Sequence, residues 1–261
     1  MVSAGVGRVT LVGGGPGAEH LMTVGALRAL ADADVVLYDR LAPHERLAEL
    51  APRATLINVG KLPGHHPISQ RGIELLMVDH ARAGAHVVRL KGGDPYVFGR
   101  GSEEVIACRE AGIPVEVIPG VTSAISVPAS AGIPLTHRGV SRLFTVVSGH
   151  APLSEEELEH LAGLGGTLVV LMGVSSLPHL AAGLQRHGAA GDLPVAIIER
   201  GYSRQQKTTV SSLADVVTDA TLAGVSAPAV LVVGEVVRLA HAGAQDAAEV
   251  MRSAELLVEN A

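Results

Sequence analysis

The sequence predicts an α/β protein made of two open α/β domains. Three observations carry this. Strand-length apolar runs alternate with stretches of helical spacing. Most of those runs are apolar on both faces, as strands covered on both sides by helices are. The βαβαβ grammar also occurs twice, once on either side of an interruption at Pro119-Gly120.

In the first half, Val9–Gly13, Val35–Asp39, Thr55–Gly60, His86–Leu90 and Val115–Ile118 read as strands. Thr23–Ala33, Pro43–Leu50, Ser69–Arg82 and Ser102–Ala111 read as helices between them. Ser102 suits an N-cap, with Glu103 and Glu104 favourable in the first turn. Gly84 and Gly112 fit positions just past a helix C-terminus. In the second half the strands are Leu143–Ser148, Thr167–Met172, Val195–Glu199, Lys207–Val210 and Ala229–Gly234. The helices are Glu155–Ala162, Ser176–His187 and Ser212–Leu222, the first opened by a Ser154/Glu157 capping box. The expected domains are residues 1–119 and 120–240, followed by an Ala-rich tail, 241–261.

Composition excludes several classes. The 261 residues are 48% hydrophobic and 18% charged, which argues against general disorder. No window supplies the roughly 18 unbroken apolar residues of a spanning helix, and the first residues lack the pattern of a secretory signal. A net charge of -6, 2% aromatics and no Trp argue against a nucleic-acid partner. Cys108 is the single cysteine, so intramolecular disulfides and Cys-rich zinc sites are excluded. His65 and His66 are adjacent and lack acidic or Cys partners at ligand spacing, so no metal is expected. A soluble, cytoplasmic protein is the expectation.

Two glycine-rich segments carry chemistry. Gly13-Gly14-Gly15-Pro16-Gly17 follows the first strand, and Gly13-x-Gly15-x-x-Ala18 fits the dinucleotide fingerprint, with Asp39 placed for a ribose. That spacing supports an NAD(P) oxidoreductase. Pro16 and Gly17 oppose it, since the next helix starts only near Thr23, and a simple tight loop reads equally well. The second segment is Lys91-Gly92-Gly93-Asp94-Pro95-Tyr96-Val97-Phe98-Gly99-Arg100-Gly101. It follows a buried strand, where α/β proteins bind ligands. Asp94 offers an acceptor for a ribose hydroxyl or an ammonium.

These segments, with Asp34–Leu41, Val59-Gly60-Lys61, Gly64-His65-His66, Pro119–Ala124, Gly132–Arg138, Thr167–Gly173 and Pro228–Gly234, resemble the tetrapyrrole methylases from Val9 to about Arg238. The Gly92–Gly101 form is that of the members that methylate uroporphyrinogen III. The resemblance implies the class III methyltransferase fold, two α/β domains with S-adenosylmethionine in a cleft between them, usually as a homodimer. It implies cofactor contacts at Pro16, Gly92, Gly93, Asp94, Val97, Thr122, Ser123, Met172 and Gly201. It further implies Asp39 as proton acceptor and Lys61 as proton donor. The implied substrate is rich in carboxylates, for which Arg40, His65, Arg100 and Arg138 are the expected partners, with Lys61, His66, His137 and Arg142 nearby in motif loops.

The implied reaction is C-methylation of uroporphyrinogen III at two pyrrole rings, giving precorrin-2 and S-adenosylhomocysteine. A later precorrin substrate and a non-catalytic binding module stay open beside it. The sequence departs from the family pattern at Ala18, Leu62, Gly72-Ile73-Glu74 and Gly201-Tyr202-Ser203.

Overall fold

The computed structural model describes residues 5–60 and 68–240. They form two compact units. The first runs to Val127 and takes up Glu199–Lys207 and Ala227–Val230; the second holds Pro128–Ile198, Thr208–Ser226 and the residues from Leu231.

The first five strands are β1 (Arg8–Gly13), β2 (Val35–Tyr38), β3 (Thr55–Asn58), β4 (His86–Lys91) and β5 (Val115–Ile118). They form one sheet in the order β3-β2-β4-β1-β5, with every neighbouring pair parallel. The helices of this half are α1 (Val24–Ala31), α2 (Leu47–Leu50), α3 (Gln70–Arg82), α4 (Gly101–Glu110) and α5 (Ser123–Ser130), with a 3-10 turn at Glu19–Leu21. Because the strands are parallel, their carboxyl ends line one edge. The chain steps outward from β1 to β2 and β3 and then returns through β4 to β5, so the connections leaving neighbouring β2 and β4 diverge, and the crevice above those two strand ends is the natural ligand site.

Side chains alternate across a strand, and the core follows that period. Val9, Leu11, Val35, Leu37 and Val87 pack with Met77, Val78, Val105 and Cys108 on one face. Val12, Val36, Val88 and Leu90 pack with Ala26, Leu30 and Leu47 on the other. Each fully buried aliphatic side chain contributes about 1.5–3 kcal/mol, so the sheet is held from both sides.

The second half carries β6 (Phe144–Ser148), β7 (Thr167–Leu171), β8 (Pro194–Glu199), β9 (Lys207–Ser212) and β10 (Ala229–Val233) in the order β6-β7-β10-β8-β9. Its helices are α6 (Glu155–Leu164), α7 (Leu177–Arg186) and α8 (Val216–Leu222). β7, β8 and β10 are buried throughout.

Helix starts follow their caps. Thr23 Oγ1 accepts from Ala26 N at 3.1 Å, and Ser69 Oγ from Gly72 N at 3.1 Å. The Ser154/Glu157 box forms in both directions, at 3.2 and 2.7 Å. Gly84 and Gly112 take the left-handed conformation expected after a helix end.

Four elements differ from the expectation, the simplest being α8, which starts at Val216 because Ser211 and Ser212 still belong to β9. Ser102 is not a cap: α4 starts at Gly101, because Gly101 N donates to Pro95 O at 3.0 Å and draws the helix start back to Arg100. The stretch from Pro43 is one helical turn only; His44 Nδ1 lies 2.8 Å from Ala42 O and its ring stacks on Tyr38, so this side chain engages the loop rather than a longer helix. α5 was not expected at all, since Pro128 and β-branched Ile125 and Val127 mask it.

Cys108 is fully buried, and burial, reinforced by the Glu104 and Glu74 charges, pushes its thiol from an ordinary 9.0 up to about 11. Only the thiolate attacks electrophiles. A disulfide-exchange reagent at pH 8 should therefore leave the native thiol unmodified for hours and titrate it at once in denaturant. Between the unfolded and folded pKa values the unfolded chain releases this proton first, so the group's contribution to stability falls as pH rises from about 9 to about 11. Rapid native labelling would show that this face of α4 opens readily.

Candidate functional site

The carboxyl edge of the first sheet is built by loops that touch backbone to backbone. Gly14 N donates to Lys91 O at 2.7 Å. Gly15 N donates to Gly93 O at 3.1 Å, and Gly93 N returns a bond to Gly15 O at 2.7 Å. The loops after β1 and β4 are thus zipped together.

The loop after β5 joins them. A Cβ on Gly13 would overlap Gly120 N, and one on Gly120 would overlap Gly93 O. A Cβ on Gly92 would lie 2.8 Å from both Leu41 Cβ and Leu41 O. These glycines stand where no side chain fits. The first glycine run therefore serves loop packing. Residues 18–22 separate it from the capped start of α1, so no helix N-terminus follows it in dinucleotide fashion.

Asp94 fastens this arrangement. Its Oδ1 accepts from Tyr96 N at 2.8 Å and its Oδ2 from Gly120 N at 3.1 Å. A carboxylate has about four acceptor positions, so each oxygen keeps one for a ligand hydroxyl or ammonium.

Asp39 follows β2 on the same edge, with its side chain 29% exposed. Its Oδ1 accepts from Leu41 N and Ala42 N, both at 3.0 Å. Its Oδ2 lies 3.5 Å from Arg89 Nη2. Arg40 is exposed beside it.

The first unit thus brings Pro16, Asp39, Arg40, Gly92, Gly93, Asp94, Val97, Arg100, Thr122 and Ser123 to the strand ends of one sheet. Thr122 caps α5, with Ala124 N donating to its Oγ1 at 3.3 Å. Gly201 belongs to the same unit and backs on α5, where a Cβ would lie 2.7 Å from Val127 Cγ1 and Cγ2. Met172 and Arg138 stand on the second unit, both exposed: Met172 directly after β7, Arg138 in the turn between His137 and Ser141. Lys61, His65 and His66 lie outside the described residues.

Arg100 is already engaged, its Nε and Nη2 donating to Glu103 at 2.8 and 2.6 Å. That pairing raises the guanidinium further and lowers Glu103. Phe98, Arg100, Met172, Arg200 and Tyr202 all hold the left-handed conformation, which is strained for side chains of this size and gathers at functional segments.

One group escaped the sequence reading. Arg89, Lys91 and Glu104 are buried together beneath Asp39. Burial first, and Arg89 second, lower the Lys91 ammonium, while Glu104 and Asp39 oppose them. The signal available was two cations at alternate positions of a strand that otherwise reads His-Val-Val-x-Leu. Among the described residues there is no metal-competent cluster of His, Cys, Asp and Glu, and no helix is long and apolar enough to cross a membrane.

Comparison with known proteins gives a consistent result. The family model of the Tetrapyrrole (Corrin/Porphyrin) Methylases matches residues 8–217. The S-adenosyl-L-methionine-dependent uroporphyrinogen III methyltransferase of Methanosarcina barkeri is 47% identical over 91% of this chain and 95% of its own length. The uroporphyrinogen-III C-methyltransferase of Methanocaldococcus jannaschii is 46% identical over 89% of this chain and 98% of its own. The crystal structure of uroporphyrin-III C-methyl transferase from Thermus thermophilus, complexed with S-adenyl homocysteine, superposes with a TM-score of 0.76 at 43% identity. It covers 89% of this chain and 100% of that one.

The three-loop contact generates a direct test. Gly120→Ala should destabilise the protein by about 2–4 kcal/mol in urea unfolding, because the backbone itself must move. Gly17→Ala serves as the comparison: a Cβ there meets nothing within 4 Å, and the left-handed backbone is the one penalty. Equal losses at the two positions would refute the role given to the loop contact.

Proposed function

The chain belongs to the tetrapyrrole methylase family, and from that premise we propose that it transfers methyl groups from S-adenosylmethionine to two pyrrole rings of uroporphyrinogen III. The products are precorrin-2 and S-adenosylhomocysteine. The observation that carries this reading is the Gly92–Gly101 loop, zipped to Gly15 and stapled by Asp94 at the carboxyl edge of the sheet. Extensive identity to relatives named for this reaction supports it.

The residues fit the cofactor. Left-handed Gly93 leaves an open backbone facing Thr122 and Ser123, the nearest atoms to a Cβ there being Ser123 N at 3.8 Å and Thr122 Cα at 3.9 Å. Asp94 keeps spare acceptor positions for a ribose or amino group. S-adenosylmethionine supplies a methyl on a sulfonium, electrophilic without further activation. The chain's residues then have two tasks, alignment and proton handling.

Asp39 takes the proton that the ring system must lose after its carbon has bonded to the methyl group. Its Oδ1 is pinned by two backbone donors, which leaves Oδ2 as the reactive edge. Lys61 is assigned the proton-donor role. Arg40, His65, Arg100 and Arg138 are assigned to substrate carboxylates, with Arg100 exchanging Glu103 for the substrate. Pro16, Val97, Met172 and Gly201 are assigned as further cofactor contacts, carried by the resemblance. We read the working form as a cytoplasmic homodimer.

A later precorrin substrate is favoured by one feature. Tyr202, a departure from the family pattern that the sequence resembles, holds the left-handed conformation, with its ring edge-on to His20 at 6.5 Å and its N–H donating to Gln206 Oε1 at 2.7 Å.

Anaerobic incubation with uroporphyrinogen III and S-adenosylmethionine should add two methyl groups by mass. Methylation of a precorrin but not of uroporphyrinogen III would select the second substrate. Asp94→Ala should abolish S-adenosylhomocysteine binding by calorimetry, and unchanged affinity would remove Asp94 from the site. Asp39→Asn should lower kcat by about 10²-fold, with S-adenosylhomocysteine affinity within about twofold of the parent.

A further inference from the structure

Parallel registry sets Leu37 of β2 opposite Arg89 of β4. Side chains two residues apart share a face, so Leu37 and Asp39 face the same way as Val87, Arg89 and Lys91. That face packs against α3 and α4. α4 presents Glu104 to it, fully buried.

Glu104 Oε1 accepts from Arg89 Nε at 3.0 Å, Lys91 Nζ at 3.1 Å and Gln70 Nε2 at 3.3 Å. Its Oε2 lies 3.0 Å from Lys91 Nζ. Arg89 Nη1 donates to Leu90 O at 2.9 Å and reaches Leu37 O at 3.5 Å. What is left of the guanidinium, Nη2, faces Asp39 Oδ2 at 3.5 Å. Two cations and two carboxylates therefore form one neutral chain from α4 to the open strand edge.

Such a cluster is a poor source of stability. Taking these ions out of water costs several kcal/mol each, and apolar residues would fill the space as well. β4 itself shows the alternative one step deeper, where Val87 occupies the same face. The ions sit instead at the functional end, and one of the two cations, Arg89, faces the proposed proton acceptor.

We propose that Glu104 is a positioning residue for methyl transfer: it locks Arg89 and Lys91 on β4 so that Arg89 holds Asp39 Oδ2 in place. Lys91 extends the same lock to the cofactor loop, since its carbonyl accepts from Gly14 N. This rests on the reading of Asp39 as proton acceptor.

The test is a double-substitution cycle on the full chain, with kcat, KM for uroporphyrinogen III and S-adenosylhomocysteine affinity measured for each variant. Glu104→Gln should lower kcat by about 10–10²-fold while KM and S-adenosylhomocysteine affinity stay within about threefold. Added to Asp39→Asn, it should cost nothing more, because its effect passes through that carboxylate. Equal losses in both backgrounds, or an unchanged kcat, would overturn the positioning role.

If Asp39→Asn alone leaves kcat intact, the proton-acceptor reading fails, and the positioning role falls with it. Should Glu104→Gln not fold, Arg89→Lys gives the same cycle. It keeps the charge and loses the Nη2 reach to Asp39, and it too should be silent in the Asp39→Asn background.

Discussion

Everything at the candidate site depends on how closely three backbones can approach. The loops after β1, β4 and β5 meet at Gly13, Gly93 and Gly120 with no side chain between them. A parallel sheet places its strand ends about 4.7–4.9 Å apart, so loops leaving adjacent strands diverge unless something draws them together. Here the zipper between Gly15 and Gly93 and the Asp94 bond to Gly120 do so. The result is a floor of closely packed backbone with one carboxylate, Asp94, fastened to it. That floor presents no helix N-terminus directly after the glycine run, which is what separates it from a dinucleotide fold.

A second constraint operates under the floor. The strand that supplies the main loop, β4, is buried along its whole length yet carries Arg89 and Lys91. Ions in that position are tolerable only if each finds a partner, and α4 supplies Glu104 for the purpose. The helix that follows the Gly92–Gly101 loop therefore also neutralises the strand that precedes it. Loop, strand and helix form a closed circuit in which the register of α4 fixes the charges of β4, and those charges face Asp39.

Much of this was legible in the sequence, and for a physical reason. Strands buried on both faces must be apolar at consecutive positions, so β1, β2, β4 and β5 stood out, and their ends fell within about two residues of expectation. Local caps were legible because they need only neighbouring residues; the Ser154/Glu157 box formed as read. α5 was hidden because Pro128 and β-branched residues give no helical signal, and tertiary context overrode them. Ser102 was misread because the start of α4 is set by Pro95 O, a loop contact rather than a propensity. The Gly92–Gly101 loop was legible by its place after a buried strand, and it lies at the carboxyl edge of the sheet as that place requires. The roles proposed for Asp39, Lys61 and Met172 come from family resemblance, since spacing alone makes them a strand-end cap, a solvated loop charge and a core filler. Glu104 could not be found, because nothing local says that α4 turns it onto β4.

The left-handed residues connect these points. Phe98 and Arg100 hold that conformation within the main loop, and Tyr202 holds it next to Gly201. Each non-glycine residue held so costs of order 1–3 kcal/mol and persists only where the surroundings over-determine it. Around Arg100 the surroundings are explicit. Pro95 O captures Gly101 N, Gly99 and Gly101 leave no room for a Cβ against the Pro95 carbonyl, and Glu103 grips the guanidinium. The loop therefore enters α4 along one path, and that path sets which α4 residue reaches β4. A strained turn on the surface and a buried carboxylate three residues into the helix are two ends of one device, and the chemistry assigned to Asp39 inherits its placement from both.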